Sequence, residues 1–387
     1  MSLSQLWKSI QDRTDYEKCE RPRAARFSLE SITRLMEYLG NPHLAARTIH
    51  VAGSKGKGSA CHFLEKGLRA SGLRTGLYTS PHLTSWKERI QVNGAPASDA
   101  ALADAFEQVL AASVGDETFF DLLTASSFLV FSSQACDVWV VETGLGGRFD
   151  STNVLRPMAA VVTSIEEEHL DVLGPTLKEV ALEKAGVFKS ESQNWSAVPD
   201  LPTQEEYVVW TFQNEQQREI GHPQKHMQEI YGLAHAVLEA LPWPGLFAAE
   251  ALDRLTPQQL QIPGRWQEGK TSAGQTVVLD TAHSEKSLTA VLQAFREQFK
   301  GTSRGVLLAL RDDKDAVQLA KALGPAPDGE CWWVTLAGDH PRSAEPAKIA
   351  PLFGAQVLSA PAFPEGPDAL LVTGSTYLVG HLLPQLS

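Results

Sequence analysis

The run GSKGKGS, Gly53 to Ser59, follows a short β-prone stretch, TIHVA (48–52), and leads into a helical pattern from Ser59 to Ala70. Strand, glycine-rich turn and helix in that order make a seat for phosphate. The glycines let backbone N–H groups converge on oxygens, Lys57 brings positive charge, and the helix N-terminus adds its dipole. The spacing is not GxxxxGK[ST], because Val51 and Ala52 stand where the outer glycine would be and Gly58 separates Lys57 from Ser59. A tight turn would need one glycine; three glycines with two lysines favour phosphate. Gly53, Gly56, Lys57, Gly58 and Ser59 are the candidate contacts.

Two further segments carry reactive groups. VETGLGGRFDSTN, Val141 to Asn153, begins where the apolar run VWVV ends. A carboxylate at the C-terminal end of a parallel strand faces the crevice where ligands bind, so Glu142 is a candidate Mg²⁺ ligand. Gly144, Gly146 and Gly147 would let the loop approach a substrate closely, and serve equally well as plain turn formers. The third segment, TSIEEEHLDVLG (163–174), contains His169 and precedes LEKAGVFK with Lys184. Taken singly, Glu166 to Glu168 read as a solvated face and a lone histidine as structural. Three strand ends presenting glycine, carboxylate and imidazole groups make one nucleotide and metal site the simpler account.

These groups need a scaffold that brings strand ends together. Strands are expected at Gly76 to Thr79, Val138 to Glu142 and Ala159 to Thr163, with helical patterns around 99–112 and 121–135. That alternation predicts a mainly parallel sheet with helices on both faces. From Lys189 to about Pro223 the chain turns polar and loses apolar periodicity. A helical pattern returns at 226–241, and LTPQQLQIPGRW (255–266) reads as the approach to a domain boundary. Four apolar strands follow, at 277–280, 305–310, 331–336 and 369–374, alternating with helices. Two domains are therefore expected, 1–262 and 263–387, sharing a cleft.

The 387 residues, 43% hydrophobic, suffice for two packed cores. A formal net charge of −12 argues against nucleic acid or an anionic membrane as partner. Cys19, Cys61, Cys136 and Cys331 form no CxxC pair and read as reduced thiols. The start, MSLSQLWKSIQDRTDY, has no signal-peptide pattern and no stretch reaches the length of a membrane span, so a cytoplasmic protein is expected.

Taken together, HVAGSKGKGSA (50–60), TSPHL (79–83), ERIQVNG (88–94), TFFDLLT (118–124), ETGLGGRFDSTN (142–153), His169 with EKAG (183–186), IPGRW (262–266), DTAH (280–283), DDKD (312–315) and VTGSTYLVG (372–380) resemble the folylpolyglutamate synthase/dihydrofolate synthase branch of the Mur ligase superfamily. The motifs fall in that family's order over nearly the whole chain. The resemblance implies an α/β protein: a P-loop-type Mur ligase central domain, with a smaller C-terminal Rossmann-like domain. It places ATP on Gly53 to Ser59 with Lys57 on the phosphates, and matches Ser80, Glu142 and His169 to Mg²⁺ ligands. Lys184 matches a lysine that the family carbamylates. Arg265 and Asp280 match nucleotide contacts, and His283 and Ser375 match positions near the incoming glutamate. Lys57, Lys184 and His283 are the implied catalytic residues.

Phe120, Asp121, Phe149 and Asp150 match the pterin or folate side. By residue type alone, Phe120 suits a core position and Asp121 a helix N-terminus equally well. The implied reaction joins a pteroate or folate carboxylate to L-glutamate through an acyl phosphate, in a monomer. Two departures stand out: DTAHSE replaces the family's DGAHNP at 280–285, and Met227 and Ile230 stand where glutamine and an asparagine near ATP are usual. Two other readings stay open, a ligase for a non-folate carboxylate and a nucleotide-binding homologue without catalysis. Lys57, Glu142, His169 and Lys184 together argue against the latter. His50, His62, Trp332 and Trp333 read as structural.

Overall fold

The computed structural model describes residues 1–15, 28–212, 220, 222–312, 314–338 and 342–386; Cys19 and Asp313 lie outside them. The chain forms two compact units. Unit 1 is Met1–His82, Lys87–Ile220 and His226–Leu260, and unit 2 is Leu83–Trp86, Gly221–Lys225 and Gln261–Ser387.

Among the described residues, unit 1 holds strands β1 Arg47–Ala52, β2 Thr75–Tyr78, β3 Ile90–Val92, β4 Ala95–Pro96, β5 Val138–Glu142, β6 Ala159–Val162, β7 Gln193–Ser196 and β8 Val209–Thr211. They form one sheet in the order β4-β3-β2-β5-β1-β6-β7-β8. From β2 to β8 every pairing is parallel; β3 and β4 add an antiparallel edge. The helices are α1 Leu3–Gln11, α2 Glu30–Tyr38, α3 Lys57–Ala70, α4 Asp99–Ala112, α5 Phe119–Ser133, α6 Leu170–Leu173, α7 Leu177–Ala185, α8 Lys225–Ala240, α9 Ala248–Asp253 and α10 Pro257–Leu260.

β1 is central and buried from Thr48 to Ala52, as a strand covered on both faces must be. Next to it, α3 buries Phe63, Leu64 and Leu68, each side chain contributing about 2 kcal/mol. Gly67 allows α3 to meet α9 closely, since a Cβ there would lie 2.8 Å from the Ala248 carbonyl. On the sheet's opposite side Phe128 of α5 stacks on Trp139 of β5 at 5.7 Å. The aromatic ring of Phe131 covers Gly76, where a Cβ would stand 2.6 Å from it.

The polar stretch after Lys189 contains two strands, β7 and β8, that periodicity does not reveal. β7 reads QNWS, and its asparagine and serine are satisfied locally, while among the described residues Gln193 Oε1 and Trp195 Nε1 are buried without a hydrogen-bond partner. The buried Asn194 amide donates to the Lys189 carbonyl at 2.9 Å and accepts from the Lys189 N–H at 3.3 Å. β8 lies at the sheet edge, where one side needs no apolar cover.

Unit 2 contains β9 Gln267–Lys270, β10 Thr276–Leu279, β11 Arg304–Leu308, β12 Glu330–Val334, β13 Gln356–Val357 and β14 Ala369–Thr373, with α11 Glu285–Gln298, α12 Ala316–Leu323, α13 Pro346–Ile349 and α14 Thr376–Leu382. The sheet order is β13-β12-β11-β14-β10-β9, parallel except for β9. One face packs Val278, Val306 and Trp332 against α11 and α12 through Leu288, Phe295 and Leu319. The other packs Val277, Leu307 and Trp333 against Leu378, Val379 and Leu382 of α14. The two tryptophans are thus core residues of opposite faces, as strand alternation requires. Leu83 joins the second cluster, its backbone so close to α14 that a Cβ on Gly380 would lie 1.9 Å from the Leu83 carbonyl oxygen. No helix of the described residues is long and apolar enough to cross a membrane.

Candidate active site

At the end of β1 the chain turns through 53–56 into α3. Gly53 (φ 144°) and Gly56 (φ 84°) take backbone conformations that side chains disfavour, and a Cβ on Gly53 would fall 2.1 Å from Thr163 Oγ1. The segment after β6 braces the turn. Thr163 and Ser164 donate their hydroxyls to the Lys55 carbonyl at 2.6 and 3.0 Å, and the Lys55 N–H donates to Ser164 Oγ at 2.8 Å. Among the described residues no side chain caps α3, which leaves its first N–H groups without a side-chain acceptor, as an anion site requires.

A charge cluster lies beside this turn. Lys57 Nζ donates to the Gly53 carbonyl at 2.9 Å, and Lys184 Nζ from α7 donates to the same oxygen at 3.1 Å. Lys184 is 1% exposed and also meets Glu168 Oε1 at 2.9 Å. Lys55 Nζ stands 3.7 Å from Glu168 Oε2. Burial, reinforced by the Lys57 charge, pushes Lys184 down to about 8 against the pull of Glu168. Burial pushes the Glu168 carboxyl up, but Lys184, Lys57 and Lys55 outweigh it and hold the group at about 2. Three ammonium groups around one carboxylate leave an excess of positive charge suited to a polyphosphate.

β5 delivers Glu142 to the neighbouring strand end, opposite Val51 of β1. Its carboxylate is buried, accepts the Ser80 N–H at 3.0 Å, and lies 3.5 Å from where a Cβ on Gly58 would be. Glycine at 58 thus leaves room for that acid at the start of α3. His169 is exposed and opens α6 in the left-handed region, φ 48°, unusual for a residue with a side chain. Mg²⁺ prefers oxygen donors and is held by one or two carboxylates plus phosphates and water. Glu142 and the Ser80 hydroxyl fit that donor set. Among the described residues, no group of three or more His, Cys, Asp or Glu could hold a metal by itself.

The GRFDSTN motif proves to be a knot of side-chain bonds. Asp150 Oδ2 accepts the Leu145 N–H at 2.8 Å, while Oδ1 accepts the Thr152 N–H at 3.1 Å and the Thr152 hydroxyl. Ser151 donates to Asp121 Oδ1 at 2.6 Å, and Asp121 Oδ2 completes a capping box with Thr118. Asn153 donates to the carbonyls of Arg148 and Gly186 at 2.8 and 3.1 Å and accepts from Lys189 Nζ at 2.9 Å. Burial raises the Asp150 carboxyl and these donors oppose it. The structure therefore brings Asp121 and Asp150 to the same knot. Phe120 lies tilted against Tyr78, ring centres 5.9 Å apart, and its ring covers Gly144, where a Cβ would stand 2.5 Å away. Phe149 is 40% exposed, with the Arg148 guanidinium 5.5 Å from its ring centre.

In unit 2 the carboxyl ends of β10 and β14 adjoin. The Gly374 N–H donates to the Ala282 carbonyl at 2.8 Å, linking the turns that carry His283 and Ser375. Because α11 and α14 leave to opposite faces, this is a topological switch point, where parallel sheets open a crevice. Asp280 is buried and accepts three bonds: Trp266 N–H at 2.9 Å, Gln224 Nε2 at 3.0 Å and Ala282 N–H at 2.9 Å. Arg265 is half-buried and immediately precedes Trp266 in sequence. His283 Nδ1 lies 2.9 Å from the Thr281 carbonyl, and Ser375 caps α14 by accepting the Tyr377 and Leu378 N–H groups. Thr281, where the resembling family has glycine, is buried, and its hydroxyl has no hydrogen-bond partner among the described residues.

Sequence reasoning does not single out Lys55 or Gln224, and it reads Glu168 with Glu166 and Glu167 as a solvated face, whereas the Glu168 carboxylate is largely buried against Lys184 and Lys55. Glu168 differs from Glu166 and Glu167 only in where the loop after β6 turns, and no spacing rule for helices or strands applies there. Lys55 is the other lysine of GSKGKGS and carries the same charge signal as Lys57.

Comparison with known proteins agrees with this arrangement. The Mur ligase middle domain matches residues 51–229, and the Mur ligase glutamate ligase domain matches residues 264–373. The dihydrofolate synthase/folylpolyglutamate synthase of Escherichia coli is 30% identical over 92% of this chain and 90% of its own length. The Bacillus subtilis protein of the same name is 43% identical over a shorter match, 42% of this chain and 39% of that protein. A solved structure of the Yersinia pestis bifunctional folylpolyglutamate synthase/dihydrofolate synthase, complexed with AMPPNP and Mn ion, is 26% identical and superposes with a TM-score of 0.81 over 99% of this chain and 98% of that one. The chain belongs to the dihydrofolate synthase/folylpolyglutamate synthase family of Mur ligases and is an ATP-dependent ligase.

Proposed function

We propose that this ligase forms an amide between the carboxylate of a pteroate or folate and the amine of L-glutamate, releasing ADP and phosphate. The observation that carries the reading is the cluster of Lys55, Lys57 and Lys184 around Glu168 at a glycine-rich turn whose helix N-terminus is uncapped. Such a place is built for the phosphates of ATP. The acceptor carboxylate attacks the γ-phosphorus, the bond to the bridging oxygen breaks, and an acyl phosphate and ADP result. Glutamate's amine then attacks the acyl carbon and phosphate leaves. Lys57 and the N–H groups of α3 stabilise charge on the transferring phosphoryl group. Glu142, Ser80 and His169 would hold Mg²⁺, which supplies further neutralisation of that charge.

The remaining roles follow from the family resemblance and from position. Phe120, Asp121, Phe149 and Asp150 line the acceptor side, supported by the bond that joins the Asp121 and Asp150 loops. Arg265 and Asp280 contact the nucleotide. His283 and Ser375 receive glutamate, supported by the switch point between β10 and β14. Residues 1–262, apart from Leu83–Trp86, Gly221–Lys225 and 261–262, which pack within unit 2, then serve as the ATP-binding domain, and 263–387 with those segments as the glutamate domain, in a cytoplasmic monomer. Lys184 is the lysine to examine by mass spectrometry for a carbamate.

The decisive experiment is phosphate release from the purified protein with ATP, Mg²⁺ and L-glutamate, comparing dihydropteroate, tetrahydrofolate and no acceptor. Release that requires one pterin and glutamate establishes the reaction and tells which glutamylation step it is. ATP binding without stimulation by either pterin would refute the folate reading and point to another carboxylate.

A further inference from the structure

His50 stands in the middle of β1, paired with Val141 of β5 on one side and Ala160 of β6 on the other, and is fully buried. An apolar side chain would suit such a place, so the ring must be explained by one of its nitrogens. Nε2 lies 2.8 Å from Thr152 Oγ1. The Thr152 hydroxyl donates its single proton to Asp150 Oδ1, so it can only accept from the ring, and Nε2 carries the hydrogen. Nδ1 is then left as a buried lone pair with no hydrogen-bond partner among the described residues. Burial, then the charge of Lys189, keeps the ring down at about 3, so it is neutral at working pH. What the side chain contributes is one N–H.

That N–H begins a line of bonds. His50 donates to Thr152, Thr152 to Asp150 Oδ1, and Asp150 Oδ2 accepts from Leu145, inside the glycine-rich loop that follows Glu142. The rigid centre of the sheet is thereby connected to the loop and to the carboxylate placed on the acceptor side. We propose that His50 is a positioning residue for acceptor binding, holding Thr152 in the rotamer that fixes the Asp150 carboxylate and the loop at 144–150. The inference deepens the function proposed above and rests on it in one respect, the assignment of Asp150 to the pterin side.

The test compares His50→Leu, which has no donor, His50→Gln, whose amide nitrogen can take the place of Nε2, and Thr152→Val, which keeps the shape and breaks the line. Each is assayed for pterin- and glutamate-dependent phosphate release, with KM for acceptor and for ATP measured separately. His50→Leu and Thr152→Val should each raise the acceptor KM about tenfold, the loss of one positioned hydrogen bond, with the ATP KM within about twofold and kcat changed little. His50→Gln should restore most of the acceptor KM. In an Asp150→Asn background, His50→Leu should add nothing further.

Equal rises in both KM values, a change confined to kcat, or His50→Gln no better than His50→Leu would overturn the proposal. If His50→Leu fails to fold, Thr152→Val decides by the same split. Absence of pterin-dependent turnover in the unmodified protein would instead sink the parent reading, and the proposal with it.

Discussion

Lys184 Nζ and Glu168 Oε1 form an ion pair of 2.9 Å in which the lysine is almost wholly buried and the carboxylate is faced by Lys55 and Lys57 as well. The two partners are therefore not equivalent. Without Glu168, a buried ammonium group remains among like charges; without Lys184, Glu168 still has two cations. Glu168→Ala should cost about 3 kcal/mol and Lys184→Met clearly less. Urea unfolding at neutral pH checks the ranking, and the reverse order would mean that the carboxylate is not what neutralises the cluster.

Lys57→Ala should separate chemistry from stability. The side chain is half-buried and its bond with the protein is to the Gly53 carbonyl, so the melting temperature should move by only a few degrees. Turnover should fall by about 100-fold or more, as expected when a group aimed at transferring charge is removed. A variant with near-normal turnover would take Lys57 out of the proposed role.

Gly53→Ala sets two obstacles together, a φ of 144° and a Cβ 2.1 Å from Thr163 Oγ1. The Thr163 hydroxyl would have to abandon the Lys55 carbonyl, loosening the turn. A loss of about 2–4 kcal/mol together with loss of ATP binding is expected. Gly245→Ala is the control: its φ is 78° and nothing lies within 4 Å of the added carbon, so it should cost about 1 kcal/mol and leave ATP binding intact. Calorimetric titration with ATP tells them apart.

Chelation should stop phosphate release, and Mg²⁺ or Mn²⁺ should restore it. Glu142→Gln should raise the metal concentration needed for half-maximal rate by about tenfold or more, because a buried charged oxygen donor becomes neutral. An unchanged metal requirement would place the ion elsewhere.

Acid should destabilise the protein well above the carboxylate range. Burial, aided by Arg156, brings His43 from 6.5 down to about 4, and His50 reaches about 3. Between these values and 6.5 the unfolded chain binds protons that the folded one refuses. Stability is therefore fully present above about 6.5 and declines as the pH falls through 4 towards 3, by up to about 1.4 kcal/mol per pH unit for each ring. His43→Phe, with Phe128 5.9 Å away to stack on, should flatten part of that slope. Unfolding free energies at several pH values from 7 to 4 measure it.

Much of this was legible beforehand, for definite reasons. The strands at 138–142 and 159–162 and both long helices after Asp99 showed because burial on one or two faces leaves an apolar pattern. The phosphate turn showed because glycine and lysine at a strand-to-helix junction have few other uses. β7 did not show, since its asparagine is satisfied by the backbone of Lys189 and carries no hydrophobic signal. Nor did the part played by Ser151 and Thr152. Their hydroxyls reach Asp121 and His50, residues 30 and 102 positions away, and no local pattern encodes such distances. His50 itself reads as structural from sequence, and its burial agrees, while the line of bonds it starts appears only once the loop is folded.

Unit 2 is discontinuous in sequence: it includes Leu83–Trp86 and Gly221–Lys225 as well as everything from Gln261 onward. A fragment starting at Gln261 would lack Leu83, which fills the core beside Gly380, and Gln224, which donates to Asp280. The C-terminal third therefore cannot be excised, swapped between relatives or expressed alone as a finished body. During synthesis it closes only by incorporating two pieces of chain made long before it.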